Sequence, residues 1–142
     1  MAADELLTAE QVTQQVEYWL DLAEYDMETA RAMLISRRLL YVAFMCHQAI
    51  EKALKGVYTA RCQAIPPKMH VLVKLAQLSG LWEEISEDQQ HWMIAVQPMN
   101  IESRYPAEKA KLLASLTVSE CEQMIVEAAE ILQWIKLKLS SV

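Results

Sequence analysis

Glycine and proline are scarce in this sequence of 142 residues, which contains two glycines and four prolines. A protein built from β-sheets needs frequent turn residues, so this scarcity argues against a β-rich fold. It favours long helices joined by a few breaks, which we expect at Pro66 and Pro67, at Gly80, at Pro98 and at Pro106. The sequence therefore predicts an all-α protein.

Long apolar runs and regularly spaced cysteines are also missing. No segment approaches the roughly 18 consecutive apolar residues of a membrane span. The N-terminal stretch is acidic and lacks the basic flank and apolar run of a signal peptide. Three cysteines, Cys46, Cys62 and Cys121, show no metal-ligand spacing and are expected to be reduced thiols. We therefore expect a cytoplasmic protein that does not associate with membranes.

Basic residues are absent from positions 1–30, which carry eight acids, whereas positions 31–74 carry eight bases and one acid, Glu51. The formal net charge of -6 argues against nonspecific binding to nucleic acid. The uneven distribution has two explanations. Either the basic segment 31–74 presents a face to phosphate, or it forms ion pairs with the acidic first helix.

Apolar residues recur at steps of three and four, the spacing of helices with one buried face. Capping boxes at Thr8–Gln11 and Ser86–Gln89 mark two helix starts. The predicted helices lie at about 8–36, 38–62, 70–79, 86–96 and 117–139. We predict a single domain over residues 8–139, an up-and-down bundle of four to five helices, with frayed tails at 1–7 and 140–142.

A strip of polar residues follows the second predicted helix beside its apolar stripe. His47, Glu51 and Lys55 share one face of this helix, and Gln48 and Lys52 share the neighbouring face. The spacing alone is explained either by a solvated helix surface with a Glu–Lys pair or by a ligand-binding surface.

The string F-x-x-x-Q-A-x-E-K-x-L-K, from Phe44 to Lys55, resembles the second-helix signature of the HEPN family (higher eukaryotes and prokaryotes nucleotide-binding). Three further segments are similar to family motifs and occur in the family's order. They are the early helix from Tyr18 through Asp26, the segment His70–Leu75, which is similar to T-H-D-L-x-x-L, and Ser103–Pro106, which is similar to A-R-Y-P-D. The resemblance covers roughly residues 16–139.

The resemblance implies a dimeric helical bundle, often encoded beside a minimal nucleotidyltransferase in a toxin-antitoxin type of pair. Catalytic family members are metal-independent ribonucleases that carry an arginine followed, after four to six residues, by a histidine. In this sequence Arg104 matches that arginine, but no histidine occurs after His91. Cleavage of RNA requires a group with a pKa near neutrality, so we expect ribonuclease activity to be absent.

Arg104 and Tyr105 complete the set of predicted binding residues. A guanidinium group beside a helix break is suited to clamp phosphate; the alternative is a buried arginine paired with Glu51 or Glu102. The three histidines fall on different helices or helix starts and do not form a metal set, so no metal site is predicted. No cofactor and no catalytic residue are predicted either. The predicted nucleotide- or phosphate-binding residues are His47, Gln48, Glu51, Lys52, Lys55, Arg104 and Tyr105.

These observations predict a binding module: a homodimer with a nucleotide or RNA ligand and a nucleotidyltransferase partner protein. The first alternative is a ribonuclease toxin that uses Arg104 with an atypical second group such as His47. The second alternative is a helical scaffold without a ligand. We expect the dimer interface to draw on aromatic and methionine side chains from the set Trp82, Trp92, Met93 and Met99.

Overall fold

The computed structural model describes residues 6–102 and 104–140 of the chain. Within these ranges the chain forms six α-helices and one short 3-10 helix, and no strand. The elements are α1 (Ala9–Ile35), α2 (Leu39–Cys62), α3 (Leu72–Leu78), α4 (Glu87–Val96), the 3-10 helix (Gln97–Met99), α5 (Pro106–Ser115) and α6 (Val118–Ser140). The predicted all-α fold class is confirmed.

Both predicted capping boxes are present. The Thr8 hydroxyl accepts a hydrogen bond from the Gln11 N–H at 3.1 Å, and the Gln11 side chain accepts one from the Thr8 N–H at 2.9 Å. Ser86 and Gln89 make the same reciprocal pair at the start of α4. Each box satisfies two N–H groups that a helix start otherwise leaves unpaired, so local sequence sets both helix starts.

The central element of the fold is α2, which packs against α1, α3 and α6. α1 and α2 form an antiparallel pair, joined by a tight turn in which Arg37 adopts a positive φ of 60°. Helices on several sides of α2 leave little of its surface for solvent. Its fully buried residues therefore include polar as well as apolar side chains, among them Cys46, His47, Ile50, Leu54 and Thr59.

The segment after α2 turns where the prolines and glycine predict. Gln63 follows α2 with φ 55°, a left-handed conformation that ends the helix, and Pro66 and Pro67 lie in the irregular segment beyond it. α3 begins at Leu72 and is followed by Gly80 at φ 75°. Pro98 lies in the 3-10 helix that terminates α4, so it shortens this helix as predicted.

The sequence did not predict α5. The break expected at Pro106 is instead a helix start, because in the structure Pro106 is the first residue of a helix of ten residues. Proline is well suited to this position because its missing N–H needs no partner there and its fixed φ matches the helix. The described bundle thus has six α-helices rather than four to five.

Of the predicted frayed tails, residues 1–5 and 141–142 lie outside the described residues. The Leu7 N–H donates a hydrogen bond to the Gln63 carbonyl at 2.7 Å, and Ser140 is the last residue of α6. Across residues 6–102 and 104–140, no helix combines the length and apolar character that crossing a membrane requires.

The four candidates for a dimer interface have different environments. Met93 is fully buried in the core, so it is the member of this set that offers no surface to a partner. Trp92 is 7% exposed, and Trp82 and Met99 are partly buried against the core. Trp82, Trp92 and Met99 therefore keep some solvent-exposed surface.

Candidate functional site

The polar strip on α2 lies mostly inside the protein. His47 is fully buried, Glu51 is 3% exposed and Lys55 is 8% exposed. On one side Trp19 of α1 covers Lys55, whose Nζ lies 5.6 Å from the centre of the indole ring. On the other side His70, in the segment before α3, contacts Glu51. A solvated helix surface therefore does not explain these three residues.

The Glu51 carboxylate is the centre of this buried polar cluster, which consists of His47, Glu51, Lys55 and His70. Its Oε2 accepts a hydrogen bond from Lys55 Nζ at 3.2 Å, and its Oε1 lies 3.1 Å from His70 Nδ1. His47 Nδ1 is farther away, at 4.0 Å from Oε1. A carboxylate can be buried at acceptable cost when it has such charged and hydrogen-bonding partners.

Sequence reasoning did not include His70 among the binding residues, although it lies in one of the motifs that carry the family resemblance. Its side chain is 52% exposed while its Nδ1 contacts Glu51. Gln97 holds the surrounding segment in place, because its side chain donates to the His70 carbonyl at 3.0 Å and accepts from the Leu72 N–H at 2.8 Å. His70 is therefore the member of the cluster that is accessible to solvent.

His47 is enclosed, and neither of its ring nitrogens makes a hydrogen bond to any residue that the structure describes. Burial lowers the pKa of His47 from its ordinary value of 6.5, although Glu51, the His70 carbonyl and the Gln97 side chain oppose that effect. The imidazole is thus held neutral near pH 7. A fully buried histidine cannot transfer protons to a ligand at the surface, which argues against His47 as a proton carrier.

Lys52 and Gln48 lie on the neighbouring face of α2. Lys52 forms an ion pair with Asp26, which is 5% exposed. Burial raises the pKa of Asp26, and Lys52 opposes this shift. The side-chain amide nitrogen of Gln48 is buried without a hydrogen-bond partner among the described residues. The pairing of the basic segment with the acidic first helix is therefore observed at Asp26 and Lys52.

Arg104 and Tyr105 lie at the start of α5. Arg104 donates a hydrogen bond to the Glu108 carboxylate at 3.2 Å, one helical turn away, rather than to Glu51 or Glu102. Its side chain is 37% exposed, so it is not a buried structural arginine. Tyr105 occupies the N-cap position of α5 without a capping side-chain hydrogen bond, and it is 75% exposed.

A shallow pocket of about 180 Å³ lies beside Arg104 and is lined also by Pro98, Glu108, Lys111 and Leu112. We call it the Arg104 pocket. It shares no lining residue with the buried polar cluster. Both places adjoin the 3-10 helix, since Gln97 contacts the His70 segment and Pro98 lines the pocket. The structure therefore brings His47, Glu51 and Lys55 together but leaves Arg104 and Tyr105 in a separate position.

In the described part of the chain, no group of three or more His, Cys, Asp or Glu side chains is arranged to hold a metal ion. The cysteines are unpaired, and two of them are buried. Burial, with a smaller effect from Cys121, raises the pKa of Cys46 to about 12, and burial also raises the pKa of Cys121. These two thiols are accordingly poor nucleophiles.

The chain belongs to the HEPN family, because the family model of the HEPN domain matches residues 16–138. The crystal structure of TT1696 from Thermus thermophilus has the same fold, with 27% sequence identity and a TM-score of 0.72. The similarity covers 87% of this chain and 98% of that chain.

A second solved structure, ST0689, is described as an archaeal HEPN homologue. It is 21% identical, with a TM-score of 0.65, and the similarity covers 87% of this chain and 97% of that chain. At 21% identity this similarity shows a shared fold and nothing further. No curated protein sequence matches the chain significantly.

Proposed function

We propose that this HEPN protein is a binding module rather than a catalyst: a homodimer that binds the phosphate of a nucleotide or RNA and docks a nucleotidyltransferase partner in a toxin-antitoxin type of pair. The observation that carries the ligand proposal is the Arg104 pocket. There the partly exposed Arg104 and the exposed Lys111 line one cavity beside α5.

The chemistry of the pocket favours an anion. Guanidinium is a planar donor that matches the geometry of phosphate, and the Lys111 ammonium adds a second positive charge to the same lining. Tyr105 does not cap α5 with its side chain, so that end of the helix is open to another acceptor. Glu108 holds Arg104 in the unliganded protein, but an exposed ion pair is weak and phosphate can replace it.

The size of the pocket indicates how a ligand would bind. At about 180 Å³ it is large enough for a phosphate group, whereas sites that enclose a whole small molecule measure about 300–1,000 Å³. The remainder of the ligand would lie across the surface. The exposed Tyr105 ring is next to Arg104 in sequence and offers an apolar face on which a base can stack.

None of the described residues that line the Arg104 pocket is a histidine, and this supports a non-catalytic role. No histidine follows His91 in the sequence, and His47 is buried and held neutral. Arginine and lysine side chains remain protonated near pH 7 and do not replace a histidine in moving protons.

A metal-independent ribonuclease is the second candidate, and one observation favours it. His70 is half exposed and its Nδ1 contacts Glu51, an arrangement in which a carboxylate orients an imidazole for proton transfer. In that mechanism His70 accepts the proton of an RNA 2′-hydroxyl as this oxygen attacks phosphorus. The bond from phosphorus to the 5′-oxygen then breaks, and a proton from solvent completes the leaving hydroxyl.

Thermal unfolding with ATP and with adenosine tests the ligand proposal. ATP at about 100 times its Kd is expected to stabilise the protein by about 2.7 kcal/mol, whereas adenosine, which lacks phosphate, has little effect. Arg104→Ala is expected to weaken ATP binding at least about tenfold, since it removes a charge-assisted contact. Lys74→Ala is the matched control, because it removes one positive charge from an exposed position outside the pocket.

Labelled RNA incubated with EDTA separates the alternatives. Cleavage abolished by both Arg104→Ala and His70→Ala would contradict the non-catalytic proposal and support the ribonuclease. ATP-dependent stabilisation without cleavage supports the binding module. If neither ATP-dependent stabilisation nor cleavage is observed, the result supports a helical scaffold that has no ligand.

Co-expression tests the partner proposal, with a nucleotidyltransferase encoded beside this gene as the probe. The expected result is a complex that survives size-exclusion chromatography. Separate elution of the two proteins, or a gene without such a neighbour, would contradict the partner proposal and leave the ligand proposal intact.

A further inference from the structure

An open groove runs between α4 and α6, and we call it the α4–α6 groove. Two adjoining cavities of about 260 and 180 Å³ form it, and both are lined by Trp92, Gln123 and Glu127. Trp92, Val96 and Met124 provide its apolar floor. The groove follows α6 from Glu120 to Glu130, which corresponds to about 15 Å at the rise of an α-helix.

The rim of this groove is acidic. Asp88, Glu120, Glu127 and Glu130 line it, and none of these carboxylates forms an ion pair with a described residue. Residues 87–96 and 118–135 contain neither lysine nor arginine. The carboxylates therefore repel one another and attract a positively charged surface.

Such a surface exists at the turn between α1 and α2, which we call the basic corner and define as Arg31, Ile35, Arg37 and Arg38. Ile35 is 82% exposed, and all three arginines are exposed. No ion pair joins these arginines to an acid of the described chain, although Arg37 donates to the Leu34 carbonyl at 2.8 Å. An exposed isoleucine among arginines matches an apolar floor with an acidic rim.

We propose that the basic corner of one protomer docks in the α4–α6 groove of a second copy, and that the contact is reciprocal. This inference rests on the proposed homodimer and assigns its surface. The basic corner and the groove lie near the same end of the bundle, since Cys121 Sγ lies 3.8 Å from the Leu39 carbonyl and the groove begins at Glu120. A two-fold axis between them pairs each corner with the opposite groove.

The two halves of the contact have different roles. Docking removes the Ile35 side chain and the Trp92 floor from water, which stabilises the dimer. The arginines and carboxylates disfavour the pairings of corner with corner and of groove with groove, because like charges meet in both.

Charge reversal with complementation tests this arrangement by analytical ultracentrifugation. The groove variant is Glu120→Lys with Glu127→Lys, and the corner variant is Arg37→Glu with Arg38→Glu. Each variant alone is expected to raise the dimer Kd at least about tenfold, because like charges then face each other at both copies of the contact. An equimolar mixture is expected to dimerise again, since the reversed groove meets the reversed corner and the two unchanged surfaces also meet.

Controls separate this contact from general charge effects and from misfolding. Glu83→Lys and Lys74→Glu change charge at exposed positions outside both surfaces, and they are expected to leave the dimer Kd unchanged. Circular dichroism checks that every variant keeps its helices.

Restored dimerisation in the mixture supports the inference. If the wild-type protein and both variants are equally dimeric, the contact is overturned but the proposed homodimer stands. If the mixture stays monomeric, the pairing is overturned. A monomeric wild-type protein overturns both the contact and the homodimer, while ATP binding at Arg104 is measured independently.

Discussion

His70 Nδ1 lies 3.1 Å from Glu51 Oε1, a contact that joins residues separated by 19 positions in the sequence. It attaches the segment before α3 to the middle of α2 and closes one side of the buried polar cluster. Lys55 closes the other side of the carboxylate, under the Trp19 ring. Glu51 is consequently the residue whose loss affects the most partners in this part of the protein.

Substitution of Glu51 by glutamine is expected to lower the free energy of unfolding by about 3 kcal/mol, because the buried Lys55 ammonium loses its counter-charge. Urea denaturation measures this change. Glu108→Gln, which affects the exposed pair with Arg104, is the control and is expected to cost less than about 1 kcal/mol. The double variant Glu51→Gln with Lys55→Met should recover part of the lost stability. Equal losses of stability in Glu51→Gln and Glu108→Gln would refute the argument.

The stability of the protein is expected to fall as the pH drops below about 6.5. Burial lowers the pKa of His47 in the folded state, so below 6.5 the unfolded chain binds a proton that the native protein does not. The free energy of unfolding should then decrease by up to about 1.4 kcal/mol per pH unit until the folded-state pKa is passed.

His47→Gln tests the pH argument in a series of urea titrations, because it removes the proton-binding group and leaves Glu51 and His70 in place. Its slope between pH 6.5 and 5.5 should be smaller than that of the wild-type protein, whatever its absolute stability. Parallel slopes would show that another group is responsible.

The three thiols are expected to react at different rates with a disulfide reagent at pH 8. Cys46 has a pKa raised to about 12 and Cys121 is fully buried, so both should react only after the protein opens. Cys62, at the end of α2, is partly exposed and should react first. Cys62→Ser should abolish the fast phase, and a fast phase that persists in this variant would contradict the assignment.

Ser86→Ala is expected to lower the free energy of unfolding by about 1 kcal/mol, since it removes the hydrogen bond to the Gln89 N–H at the start of α4. Ser115→Ala serves as the comparison, because the Ser115 hydroxyl donates to a carbonyl near the end of α5 and is exposed. Chemical denaturation of the two variants should differ by more than about 0.5 kcal/mol, and no difference would indicate that the cap contributes little.

Much of the helix pattern was predictable from short-range features. The capping residues Thr8 and Ser86 and the stop at Gly80 agree with the structure within one or two positions. α5 was missed because Pro106 interrupts an apolar pattern and also starts a helix well, and local sequence does not distinguish these two roles.

Less of the candidate site was predictable. The positions of His47, Glu51 and Lys55 on one helix face follow from their spacing, but their burial depends on Trp19 and His70, which come from other elements. The pairing of Arg104 with Glu108 instead of Glu51 likewise depends on the presence of α5. Whether these residues bind phosphate stays a prediction.

The residues alone are enough to show that this protein is helical and where most of its helices begin and end, because propensities, caps and periodicity act over a few residues. The resemblance to the HEPN family rests instead on motifs and their order along the chain. Which polar groups are enclosed, which partners they have and which acidic and basic surfaces stay uncompensated is visible in the folded structure. Those outcomes depend on contacts between distant segments, and burial changes the strength of an electrostatic interaction far more than any local pattern can indicate.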